Sequence, residues 1–194
     1  GDVYKRQALG YTLKETRHLY GTYSSGMNLY NLPSSMMTAL TISVIPTVSA
    51  SLARNDRVHT SRVINSSLRV TGLMAFQMGL GLWALAEPIM KLCYPRYDSE
   101  LGGSLLAVLV IASMFVCLML ISNSILQSYG RVHVPVFTML IGGVVKIIFN
   151  YNLTAVPSIN IHAAPFGTLV CFVIVSSLNL FFVYRTMEDK PNYF

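Results

Sequence analysis

Charge is what this chain has least of. Its 14 Lys and Arg and 8 Asp and Glu make up 11% of 194 residues, where a soluble globular chain carries about 25%. The few charges are also unevenly placed. Thirty-six uncharged residues separate Arg17 from Arg54, 30 separate Glu100 from Arg131, and 38 separate Lys146 from Arg185. A chain with such gaps cannot present a polar exterior to water all the way round, which excludes an ordinary soluble domain. Cysteine is scarce too: Cys93, Cys117 and Cys171 are too few and too scattered for a disulfide framework or a zinc site. Acids are absent from the interior of every long apolar run. There is no HExxH, no glycine-rich phosphate loop and no G-x-S-x-G elbow, so no enzymatic activity, metal or cofactor is expected. The net charge of +6 comes without basic residues interleaved with aromatics on one face, which excludes a nucleic-acid partner. Gly1 to Arg17 lacks the apolar core of a signal peptide. The chain opens on Gly and not Met, and is read as a fragment whose first residues, Gly1 to Gln7, have an open origin.

What the chain does have is apolar length. Apolar residues are 53% of it, and a membrane helix needs about 20 of them in a row. Five spans are expected, at about Leu32 to Ala53, Val70 to Lys91, Leu105 to Tyr129, Val132 to Leu153 and Ala163 to Tyr184. Pro46 falls inside the first and should kink it. Glu87-Pro88 closes the second, whereas Pro135 and Pro165 sit in opening turns that tolerate a missing N–H. The expectation is an all-α membrane protein: residues 1–31 as an outer loop and entry segment, 32–185 as a helical lobe, and 186–194 as a tail.

Orientation follows from Lys and Arg in the short loops. Arg54, Arg57, Arg62, Arg69, Arg131, Arg185 and Lys190 fall on one side, and only Lys91 and Arg96 on the other. The first side is expected to be cytoplasmic, together with the C-terminus; Lys5, Arg6, Lys14 and Arg17 run against this unless a further helix precedes them. Arg54 to Arg69 reads as a short interfacial helix. It is either a grip on anionic lipid headgroups through Arg54, Arg57, Arg62 and Arg69 or a solvated positive loop.

Polar residues inside the spans are the candidate site. Lys146 lies some 20 Å from one end of the fourth span, a depth that costs about 2.5 to 3.5 kcal/mol on insertion scales. Gly142, Gly143 and Asn150 share its face. Two readings stand: a wet cavity in which the ammonium attracts an anionic headgroup, or a snorkelling lysine above a glycine-mediated helix contact. In the third span Asn123 and Gln127 are four apart beside Ser124 and Ser128, and read either as interhelical glue or as cavity wall. The Ser34, Thr38 and Thr41 ridge reads as glue, and Asn31 as a helix-entry residue.

Several stretches then gain meaning as an ordered set. Asn31-Leu-Pro33, Ser43-Val-Ile-Pro-Thr-Val-Ser49, Ile64-Asn-Ser-Ser-Leu-Arg69, Leu85-Ala-Glu-Pro-Ile89, Ile125-Leu-Gln-Ser-Tyr-Gly130, Ile141-Gly-Gly-Val-Val-Lys146 and Ala164-Pro-Phe-Gly-Thr168 occur in this order. Together they resemble the polysaccharide biosynthesis and stage V sporulation protein B branch of the multidrug/oligosaccharidyl-lipid/polysaccharide flippase superfamily. The resemblance implies a bacterial cytoplasmic-membrane protein of two pseudo-symmetric lobes that exports lipid-linked sugars by alternating access. This chain would be most of the C-terminal lobe. Its partners would be a lipid-linked anionic saccharide, membrane lipids and a missing N-terminal lobe. Lys146, Asn150, Asn123 and Gln127 would line one side of a central cavity. A cation-coupled drug exporter of the same superfamily, which predicts a membrane-embedded acid, and a non-transporting membrane scaffold are the competing readings.

Overall fold

The computed structural model describes residues 13–95, 98–154 and 163–188, and every regular element among them is an α-helix. In chain order these are α1 (Leu13–Ala53), α2 (Arg57–Ala84), α3 (Ala86–Cys93), α4 (Ser99–Ser128), α5 (His133–Thr154) and α6 (Ala163–Glu188). Four of them are long and apolar enough to cross a membrane. A fifth span results if α2 and α3, bent by 68° where they meet, count as one.

α4 is the centre, because its sequence is apolar on every face. Leu105, Leu106, Leu109, Ala112, Ile121 and Leu126 along it are fully buried. α1, α2, α3 and α6 all pack on it, while α5 packs almost wholly on α6. The start of α4 is fixed by Asp98, whose carboxylate accepts from the backbone N–H of Glu100 and Leu101 at 3.0 and 3.1 Å, the usual remedy for unpaired first-turn donors.

Two turns at one end of the bundle set its hairpins. Between α1 and α2, Asn55 takes a left-handed φ of 56°, a conformation Asn tolerates better than most residues. Asp56 then accepts from the His59 N–H at 2.9 Å and caps α2. Between α4 and α5, Gly130 has φ of 72°. The Arg131 N–H reaches back to the Leu126 carbonyl at 3.0 Å, so the end of α4 closes on a glycine.

Three expectations need restating. α1 begins at Leu13, not Leu32, and runs unbroken through both Pro33 and Pro46. Its 41 residues amount to about 62 Å of helix, more than a bilayer core requires. The upstream part is held by packing: Thr22 meets Gly102, and Gly26 lies against Leu109. Arg57 to Arg69 is not a separate interfacial helix. Nothing between Arg69 and Val70 interrupts the backbone ladder, so those residues form the first turns of α2 itself. The second span breaks at Leu85, ahead of the proline that causes it. The ring of Pro88 excludes a helical carbonyl four residues back, at Ala84, and Ala84 is where α2 ends. Pro88 then sits in the first turn of α3, where its missing N–H costs nothing.

Candidate functional site

The four polar residues singled out in the spans fall into two groups. Asn123 on α4 is half-buried, and its Oδ1 accepts from Nδ2 of Asn179 on α6 at 2.7 Å. Asn179 is completely buried. Its own Oδ1 accepts from the Thr138 hydroxyl of α5 at 2.7 Å; Thr138 also lies 3.0 Å from the Pro135 carbonyl. One amide therefore ties α4, α5 and α6 together inside an apolar interior, where each polar atom must find a protein partner. Gln127, one turn beyond Asn123, is exposed.

Lys146 and Asn150 belong to a different place. α5 and α6 run antiparallel, with Thr138 at Asn179, Gly142 at Val175 and Cys171, and Asn150 at Gly167. Lys146 lies on this seam, half-buried, eight residues or about 12 Å along the helix from Thr138. Gly142 admits the close approach: a side chain there would run into Val175 and the Cys171 sulfur. Gly143 faces open space. The glycine-mediated contact expected below Lys146 is thus present, through Gly142 alone.

Polar residues are also exposed along α1, two of which, Asn31 and Thr38, the sequence marks as a helix-entry residue and as interhelical glue. Asn31, Ser35 and Thr38 are all exposed and fall within about 60° of one another around the helix at 100° per residue. Ser43 and Thr47 are exposed on the adjoining flank. The hydroxyl protons are turned inward, with Ser35 donating to the Leu32 carbonyl at 2.8 Å and Thr38 to the Ser34 carbonyl at 3.0 Å. Their oxygens keep the capacity to accept from outside. Asn31 donates to the Met27 carbonyl at 2.9 Å. The buried side of α1 carries Met37, Val44 and Val48 together with Thr41 and Ser51, while Leu32, Met36 and Ile42 are exposed among the outward polar residues, so the outward surface of α1 is mixed polar and apolar. Asn179, which the sequence reading missed, had a readable signal: an amide set among Leu178, Leu180, Phe181 and Phe182.

Arg54, Arg57, Arg62 and Arg69 are all exposed. Arg54 borders a groove shared with Asp56 and His59. Arg57 borders a cavity of about 180 Å³ with Thr60, Ser61, Tyr129 and Thr186. Arg62 and Arg69 lie seven apart on one side of α2, and Arg69 is about 18 Å along the axis from Arg57. The four are therefore distributed along a rod and do not form one cluster.

Comparison with known proteins agrees with a membrane assignment. The chain is 24% identical over 180 residues, 93% of its length, to an uncharacterized membrane protein, YabM, of Bacillus subtilis strain 168. It spans about a third (33%) of that relative. The MatE family model matches residues 20–152, more than half of the chain. The chain belongs to the MatE family of membrane proteins.

Proposed function

We propose that this chain is part of a transporter of the multidrug/oligosaccharidyl-lipid/polysaccharide superfamily, and that the cargo is a lipid-linked oligosaccharide or peptidoglycan precursor moved by alternating access. The observation that supports this reading is the set of exposed polar residues of α1, interleaved with exposed Leu32, Met36 and Ile42. Asn31, Ser35 and Thr38 turn outward from the lobe, on a helix that otherwise qualifies as a membrane span. An exposed amide and two hydroxyls suit water or a polar cargo and not acyl chains. Hydroxyl oxygens whose protons are already donated to the backbone can accept from sugar hydroxyls without reorganisation. In this reading α1 faces the second lobe across the transport path, and rocking of the two lobes exposes that path to either side.

Lys146 supplies the positive charge that balances a diphosphate, and the adjacent Asn150 orients it. Gln127 is the exposed amide of α4. Asn123 acts by holding α6, because its carbonyl oxygen is already engaged by Asn179. The lack of an acid in the interior of any span favours an anionic cargo over an exporter driven through a buried carboxylate. The arginine-bearing end of the bundle is assigned to the cytoplasm of the bacterial inner membrane, with the C-terminus on the same side.

The test is a flipping assay with the full-length parent in vesicles, using a fluorescent lipid-linked oligosaccharide. Lys146→Ala should lower the rate about tenfold, as expected for losing one charge-assisted contact, and Ser35→Val/Thr38→Val should lower it by a smaller factor. Unchanged flipping in both would remove the cargo assignment. Drug efflux without lipid flipping would favour the exporter.

A further inference from the structure

The bend after α2 sets α3 apart from the other helices. Its eight residues amount to about 12 Å. Inclined at 68° to α2, it climbs only about 4 to 5 Å along the α2 axis. α3 therefore lies across the bundle and not along it, and its contacts agree. A side chain at Gly102 would run into Met90, and one at Gly103 into the backbone of Glu87. Residues three apart on α3 thus meet adjacent residues of α4. Those two glycines lie about 5 to 6 Å from the start of α4, and that start is polar, with Asp98 and Glu100 exposed. α3 is seated where α4 passes from water into the apolar interior.

The side chains of α3 are sorted around its axis. Ala86 and Met90 are buried and Ile89 is half-buried beside them. At about 100° per residue, Glu87 and Lys91 fall together on one flank of that buried face, and Pro88 and Leu92 fall together on the other. All four are exposed, Leu92 at 82%. A helix wholly in water would leave Leu92 exposed to it, and one crossing hydrocarbon would strip water from Glu87 and Lys91. Both flanks are satisfied when the axis lies along the boundary between the two media. Trp and Tyr, the residues that favour this boundary, stand at either end. Trp83 is exposed three residues before α3. Tyr94 follows it, half-buried, its hydroxyl accepting from Asn28 of α1 at 3.5 Å.

We infer that α3 is an in-plane interfacial helix whose partner is the lipid surface of the leaflet opposite the arginine-bearing end. Trp83, Pro88 and Leu92 enter the lipid, Glu87 and Lys91 face water, and the seat on Gly102 and Gly103 passes this grip to α4. The placement depends on the bilayer and not on the cargo. Spin labelling of the full-length parent in phosphatidylcholine vesicles provides the test. On a Cys93→Ser background freed of other accessible cysteines, one nitroxide at a time is introduced through Glu87→Cys, Lys91→Cys or Leu92→Cys. Depth is read from collisions with oxygen, which collects among acyl chains, against collisions with a water-soluble nickel chelate. The Leu92 label should lie about 5 to 10 Å below the headgroup boundary, and the Glu87 and Lys91 labels on its water side. Four residues advance about 6 Å along a helix, so on an axis bent 68° from α2 the Glu87 and Lys91 labels should differ in depth by only about 2 Å. A difference of about 6 Å between them would make α3 the continuation of a crossing span and overturn the inference. So would nickel exposure at all three positions, which means water, or equal depth on the two flanks. Shielding of the Leu92 label from both agents would also overturn it, because another lobe or a second copy would then cover that flank.

Discussion

Replacing Asn179 with alanine should loosen three helices at once. Two side-chain hydrogen bonds disappear, one from Asn179 to Asn123 and one from Thr138 to Asn179, each 2.7 Å long. Interhelical hydrogen bonds in membrane proteins average about 0.6 kcal/mol and reach about 1.7. The two halves will not contribute equally. Thr138 retains the Pro135 carbonyl at 3.0 Å as an alternative acceptor, so its loss falls at the low end. The Asn123 amide oxygen is held across the interface by Asn179 with no second such bond among the described residues, and its loss should fall higher. A small void at a fully buried position adds to both. The expected total is about 1 to 2 kcal/mol, measured as unfolding free energy in mixed micelles titrated with SDS. The Asn123→Ala/Asn179→Ala cycle should show coupling of about 0.6 to 1.7 kcal/mol, and the Thr138→Val/Asn179→Ala cycle less. A coupling of zero between Asn123 and Asn179 would mean that the two amides do not hold the helices together.

Other expectations concern packing, backbone and topology. Gly142→Ala should cost about 1 to 3 kcal/mol by overpacking against Val175 and Cys171, whereas Gly143→Ala, facing open space, should gain up to about 1 kcal/mol in helix propensity; equal effects in the same micelle titration would refute the α5–α6 register. Gly130→Ala should lose about 1 to 2 kcal/mol because φ there is 72°, and a neutral result would show that the turn can be rebuilt. Cys93 is exposed at the end of α3 whereas Cys117 and Cys171 are buried. A membrane-impermeant maleimide applied to intact cells should therefore modify Cys93 alone, and no labelling until lysis would reverse the proposed orientation.

The spans were legible because uncharged length has one outcome in hydrocarbon, and the charge gaps locate it. Where α1 begins was not legible. Lys14, Arg17 and Asn28 depress the local apolar signal, yet the helix is retained by contacts with α4 that only the fold supplies. The break between α2 and α3 was half legible: Pro88 announced it, but its ring acts on a carbonyl four residues earlier, which places the bend at Leu85. Asn123 was recognised as a residue needing a partner, and Asn179 carried the same signal in its own span. Their pairing joins positions 56 apart in sequence, a relation that no local pattern encodes. Lys146 was expected beside a small-residue surface, and Gly142 provides one. Of the Ser34, Thr38 and Thr41 ridge, Thr41 is buried, Ser34 half-buried and Thr38 exposed, because burial, not composition, decides whether a polar side chain joins helices or faces outward.

α5 is nearly detached from the rest of the bundle: its neighbour is α6, with only a slight touch on α4. Its outer surface presents Phe137, Leu140, Ile147 and Ile148. Any force that tilts α6 is therefore handed on to α5 through one seam, with Lys146 carried along as cargo on a lever arm. The position of that ammonium is therefore set along the seam, by Gly142 against Val175 and Cys171 and Asn150 against Gly167, with Asn179 tying the arm's root through Thr138.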